Sequence, residues 1–158
     1  MLKHLHDGLP FLLNRIAATI AEAVNREFQP MGLNLYAVRV LILLYLDSEH
    51  TVGGLAQSAA LEQSTISHIL RRLEQQGLIE RVRQKQDNRS VMVLLTDEGK
   101  KVGAKCWKAV QRHDALLRRG LDPAAGAQLE QLLKQLYENV PLFQGRDPGR
   151  HPGTSEEH

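Results

Sequence analysis

From Leu9 the apolar positions Leu9, Leu12, Leu13, Ile16, Ile20, Val24 and Phe28 recur at spacings of three and four, one face of a long helix. The segment "QPMGL" ends it. Asn34 stands where it can cap a second helix, whose positions Leu35, Val38, Leu41, Ile42, Tyr45 and Leu46 keep the same period. That segment, "LYAVRVLILLYL", is apolar on every side, so the helix is expected to be buried. Thr51 is expected to cap a short third helix, "VGGLAQSAAL". After a tight break, "STISHILRRLEQQG" predicts a fourth with Ile66, Ile69, Leu70 and Leu73 on one side. Gly77 sits where a helix C-terminus favours a left-handed residue.

The pattern then changes. "LIERVRQ" and "SVMVLLT" are two short strands rich in β-branched residues around a polar loop, "KQDNR", which makes a hairpin. Val91, Met92, Val93, Leu94 and Leu95 are all apolar, so the second strand is covered on both sides. The hairpin is anchored at its base, and its tip carries Arg83, Lys85 and Arg89 around one Asp87. Thr96 is placed to cap the next helix, with Asp97 and Glu98 in the first turn, where the helix dipole favours negative charge. Gly99 stands where a full capping box would need Glu or Gln. This helix is predicted to reach about Arg119. Asp122 and Pro123 open a last one, striped by Leu129, Leu132, Leu133, Leu136 and Val140. From Gln144 the segment "GRDPGRHPGTSEEH" cannot build a core and is expected to be a flexible tail.

Composition narrows the function. At 158 residues, 42% hydrophobic and 24% charged, the chain has the makeup of one globular domain, which excludes disorder along its full length. Its formal charge is only +2, so affinity for a polyanion must come from a local patch. Cys106 is the single cysteine, which excludes an internal disulfide and suits a reducing compartment. Asn14 and Arg15 interrupt "LPFLL" too soon for a signal-peptide core or a membrane span, and the cytoplasm is the expected location. The few aromatic residues are scattered, which argues against a stacking platform for single strands. No glycine-rich phosphate loop, zinc-type cysteine pair or nucleophile elbow is present, so neither an enzyme nor a cofactor is expected.

With its apolar side buried, the fourth helix would turn Gln63, Ser64, Thr65, Ser67, His68, Arg71 and Arg72 outward. Hydroxyl, amide, imidazole and guanidinium groups are those that read base edges and phosphates in a major groove. A solvated helix face would carry more Glu and Lys. The hairpin fits the same picture: a basic tip held on a firm strand can touch the backbone or enter the adjacent minor groove, whose potential attracts Arg. Arg89 is the candidate for insertion, with Asp87 to orient Arg81 or Arg89.

These residues also carry a resemblance. "LAQSAALEQSTISHILRRLEQQGLIERV" followed by "DNRSVMVLLTDEG" resembles the winged helix-turn-helix of the MarR (multiple antibiotic resistance regulator) family of bacterial transcription factors, over Leu55 to Gly99. The Asp-x-Arg-Ser wing tip and the "LT-x-x-G" exit make the match specific, and the flanking helices have the family's order and lengths. The resemblance implies a mainly α fold with a small β-hairpin wing. Residues 34–96 would form the DNA-binding lobe, flanked by dimerisation helices at 1–33 and 97–143 of a single domain, 1–143, before the 144–158 tail. It implies a homodimer on double-stranded DNA with an inverted-repeat operator, and a small molecule, an oxidant or a metal bound between dimer helices and DNA lobe to change DNA affinity. Ser64, Thr65, Ser67 and His68 correspond to the family's DNA-facing helix positions. Arg81, Asp87, Arg89 and Ser90 correspond to its wing. His68 replaces the Arg common there, which puts the preferred base sequence in doubt. The unpaired apolar stripes of the terminal helices call for a second copy independently.

Four further features carry groups with possible chemistry: Cys106, the N-terminal histidines with Asp7, the pair His113–Asp114, and Arg39. Cys106 shares a helical stripe with Val102 and Ala109, and reads as a structural cysteine; the family's oxidant sensors place the reactive thiol in the first helix. His4, His6, Asp7 and the pair His113–Asp114 lack regular ligand spacing, so no metal is expected. Arg39, alone in the apolar second helix, would need a partner if buried: an acidic side chain of its own subunit, or an anionic effector such as an aromatic carboxylate. A winged helix that binds protein and not DNA is the alternative function; a neutral face with an acidic wing would favour it, and the Arg and Lys tip does not.

Overall fold

Each expected cap is in place. Asn34 Oδ1 accepts from the Ala37 N–H at 2.9 Å, Thr51 Oγ1 from Gly54 at 3.1 Å, Thr96 Oγ1 from Gly99 at 3.0 Å and Asp122 Oδ1 from Ala125 at 2.8 Å. Each such bond stabilises its helix by about 1 kcal/mol. The computed structural model describes residues 8–48, 50–83 and 91–140. Its helices are α1 (Leu9–Phe28, followed by a 3-10 turn at Gln29–Met31), α2 (Leu35–Leu46), α3 (Val52–Ala59), α4 (Gln63–Gln75), α5 (Asp97–Leu117) and α6 (Pro123–Glu138). The strands are β1 (His50–Thr51), β2 (Ile79–Arg83) and β3 (Val91–Leu95).

The chain divides into two compact units, residues 1–114 and 115–158. In the first, Val40, Leu41, Leu55, Ile66, Leu70, Val93 and Cys106 are fully buried, and the core they form joins α2, α3, α4, β3 and α5. The sheet is antiparallel in the order β1-β3-β2. Val93 lies opposite His50 on one side and Arg81 on the other, so β3 is the central strand. β1 is the element the periodicity does not show, because two residues have no period. Thr51 belongs to β1 and also caps α3. In the second unit, Asp122 caps α6 and Arg118 pairs with Glu130. Of that unit's described residues only Gly126 is buried.

The expectation that α2 is buried all round is corrected. Tyr36, Arg39, Tyr45 and Leu46 are exposed, because core residues approach α2 on one side only. Arg39 is thus not a buried cation: its Nη1 donates to the Ala59 carbonyl at 3.0 Å, where an acidic partner was expected. Among the described residues, no single helix is long and apolar enough to cross a membrane. His4, His6, Asp7 and the tail lie outside the described residues.

Candidate nucleic-acid interface

α3, a turn and α4 form the helix-turn-helix. The turn closes with Ala60 in the left-handed region, φ 52°, so that the Leu61 N–H reaches the Ala56 carbonyl at 3.0 Å. That conformation costs an L-residue roughly 1–2 kcal/mol. The reward is the orientation of α4: Ile66, Ile69, Leu70 and Leu73 are all buried, and burial of each such side chain is worth about 1.5–3 kcal/mol.

That anchoring decides what α4 shows to solvent. Gln63, Ser64, His68, Arg71 and Arg72 are exposed, and Thr65 and Ser67 are half-buried. The Ser67 hydroxyl donates back to the Gln63 carbonyl at 2.9 Å, a local bond that a stronger acceptor could replace. No side chain caps α4 at Glu62, and the first N–H groups of any α-helix lack intrahelical acceptors. Such an end favours an anion.

Two of the basic candidates have protein partners. Arg81, on β2, places Nε 3.4 Å from Glu74 Oε2 on α4, which ties the wing strand to the helix beside it. Arg72 turns its Nη2 to the Gly32 carbonyl at 3.4 Å, and Gln76 Nε2 reaches the Met31 carbonyl at the same distance. Both contacts lie at the long limit for a hydrogen bond and hold these side chains loosely. Arg83, at the end of β2, is exposed. Lys85, Asp87, Arg89 and Ser90 lie outside the described residues. Sequence reasoning missed Glu74, which has the spacing of an ordinary solvated position, and the use of Arg72 and Gln76 against the 31–32 carbonyls.

Two further features involve α1 and α5. Cys106 is fully buried, and that burial, with a smaller contribution from the Glu27 charge against an opposing backbone hydrogen bond, pushes its thiol up to about 11. Arg112 Nη2 clamps Glu27 at 2.6 and 2.7 Å, and His113 Nε2 lies 3.7 Å from the same carboxylate, so α1 and α5 are clipped together by charge. Among the described residues no three His, Cys, Asp or Glu side chains converge as a metal site would require.

The chain matches known regulators across this whole region. The family model described as transcriptional regulator SarA/Rot matches residues 25–106. The organic hydroperoxide resistance transcriptional regulator of Bacillus subtilis is 31% identical over 133 residues, 84% of this chain and 87% of that protein. A MarR family transcriptional regulator from Silicibacter pomeroyi superposes with a TM-score of 0.74 at 28% identity, covering 83% of this chain and 88% of the other. The chain belongs to the MarR family. MarR proteins are DNA-binding transcription regulators of the winged-helix type and not enzymes. The fold is shared as well with Staphylococcus aureus MepR, whose structure is a DNA complex, at a TM-score of 0.78 and 20% identity over 84% of this chain and 98% of that one.

Proposed function

We propose that this MarR protein is a sequence-specific repressor that binds an inverted-repeat operator as a homodimer and is released by a small-molecule effector. The observation that carries this is α4: a helix fixed by four buried side chains, uncapped at its N-terminus, with an outer face of hydroxyl, amide, imidazole and guanidinium groups. Ser64, Thr65, Ser67 and His68 would read bases, and Gln63, Arg71 and Arg72 would hold phosphates, Arg72 by exchanging its loose contact with Gly32. Arg81, Arg83, Lys85, Asp87, Arg89 and Ser90 would form the wing's contact with the backbone and minor groove. The dimer is supported by the exposed apolar residues Leu9, Leu12, Leu13 and Ile16 of α1, and by α6, where Leu129, Leu132 and Leu136 are all exposed. A helix with so little of its own to pack against gains most from a second copy. Residues 1–143 would then act as one functional domain.

Occlusion of a promoter is the mechanism, and the effector works by favouring a dimer whose two α4 helices no longer match one turn of DNA, about 34–36 Å. The Bacillus relative's name speaks of organic hydroperoxide resistance. Thiol chemistry does not transfer with it, because the single thiol here is buried and stays protonated near neutral pH.

The test is selection of duplexes from a randomised pool by the purified protein, followed by anisotropy over a salt series. An inverted repeat should emerge, with affinity falling steeply with salt. His68→Ala and Arg89→Ala should each lose about 1–3 kcal/mol on the selected site. Leu132→Glu should yield monomer in sedimentation equilibrium and abolish tight binding. A pool without enrichment, or a wild-type monomer that binds the selected site as tightly as its dimer would, overturns the proposal.

A further inference from the structure

We propose that Thr96 is a positioning residue that latches the recognition helix to α5, so that α4 and α5 move as one body when the dimer changes shape. This rests on the DNA-binding role proposed above for α4.

Consider how α4 ends. Gly77 takes a φ of 69°, its N–H donates to the Glu74 carbonyl at 2.9 Å, and the Leu78 N–H donates to the Leu73 carbonyl at 2.9 Å. This closure satisfies carbonyls inside the helix and leaves those of Gly77 and Leu78 pointing outward. Thr96 takes both: its hydroxyl donates to Gly77 O at 2.7 Å, and its N–H donates to Leu78 O at 3.1 Å. The same Oγ1 accepts from the Gly99 N–H at 3.0 Å and caps α5. One hydroxyl therefore acts as donor to the end of α4 and acceptor from the start of α5, a double role that its proton and lone pairs allow. Steric contact stiffens the joint, because a Cβ on Gly99 would lie 1.8 Å from Leu78 O, so the first turn of α5 rests directly on that carbonyl. The pairing of Ile79 with Leu95 closes the ring.

The attachment to α1's side is of another kind. There Arg72 and Gln76 reach the carbonyls of Gly32 and Met31 at 3.4 Å, and Phe28 and Leu33 share the core with Ile69 and Leu73. Long bonds from flexible side chains yield first. A displacement of α5 is thus passed to α4 and the base of the wing as one body.

Three variants separate this role from capping. Thr96→Ser keeps both functions, Thr96→Ala loses both, and Thr96→Asp keeps the acceptor for Gly99 but has no proton for Gly77 O. On the selected duplex, Thr96→Asp should bind about tenfold more weakly than wild type, as Thr96→Ala does, the loss expected for one well-formed hydrogen bond. On an unrelated duplex the change should be smaller, and Thr96→Ser should restore the wild-type ratio. Amide hydrogen exchange decides the latch without DNA: in Thr96→Asp the amides of Gln76, Gly77 and Leu78 should exchange faster while that of Gly99 keeps its protection. A wild-type protein that does not discriminate between duplexes sinks the DNA-binding role and leaves the exchange pattern to decide the latch. Unchanged exchange at residues 76–78 in Thr96→Asp, or binding of the selected duplex as tight as that of wild type, overturns it.

Discussion

Gly99→Ala sets two effects of opposite sign against each other. Gly99 is the third residue of α5, and intrinsic helix propensity alone favours Ala there by up to about 1 kcal/mol. The structure demands the reverse, because the new Cβ would sit 1.8 Å from Leu78 O. An ordinary carbon–oxygen contact is about 3.3 Å, so one partner must retreat by roughly 1.5 Å. Leu78 O cannot retreat freely, since it accepts from Thr96 N–H and belongs to the residue that leads into β2. Overpacking of this kind costs typically about 1–3 kcal/mol, and loss of the Thr96 bond adds about 1 kcal/mol. The expected net loss is about 2–3 kcal/mol, or roughly 5–10 °C in Tm for a chain of this length. Urea and thermal unfolding followed by circular dichroism, at one fixed protein concentration, measure it. A variant as stable as wild type, or more stable, would show that α5 does not rest on Leu78 and would refute the reasoning.

Ala60→Gly should stabilise the protein by about 0.5–1 kcal/mol, because Gly adopts the left-handed turn between α3 and α4 without the Cβ penalty; a lower urea midpoint would contradict this. Cys106 should resist thiol reagents near neutral pH in the folded protein and react at once in denaturant. Its folded pKa of about 11 lies above the ordinary 9.0, so its contribution to stability is fully present below pH 9 and is lost as pH rises towards 11. That contribution is about 2–3 kcal/mol, and Cys106→Ala should flatten the alkaline limb of the stability curve. Glu74→Gln frees Arg81 and removes a carboxylate beside the DNA-facing helix. Stability should change by less than about 1 kcal/mol while DNA binding tightens, and weaker binding in an anisotropy titration would count against Arg81 as a phosphate contact.

What the sequence discloses and what it hides follow from the range of the interactions. The helices, their caps and the hairpin are legible because each rests on residues within a few positions of one another: Asn34 with Ala37, Thr96 with Gly99, the run Ile66 to Leu73. The outward face of α4 follows from the same period. β1 is hidden because its two residues gain strand geometry only from pairing with Val93 and Met92, some forty positions away. Arg39 misleads for a related reason: apolar neighbours in sequence suggest burial, but exposure depends on which faces of α2 other elements reach. Gly99 was visible as a departure from the capping box, while its cause, the carbonyl of Leu78, belongs to another element. Arg81's pairing with Glu74 crosses the α4–β2 turn and has no periodic signature.

The central position of β3 has a consequence for how this protein can diverge. Val93 is fully buried and held from both sides, and a slip of one residue would turn it outward and break both pairings together. The hairpin's stem is therefore locked independently of whatever joins its strands at positions 84–90. Closing a longer connection between the same two strand ends costs little, on the order of 0.6 kcal/mol per doubling. The stem thus carries its own register, and a graft of another sequence or length between β2 and β3 is expected to leave the sheet and the helix-turn-helix unchanged.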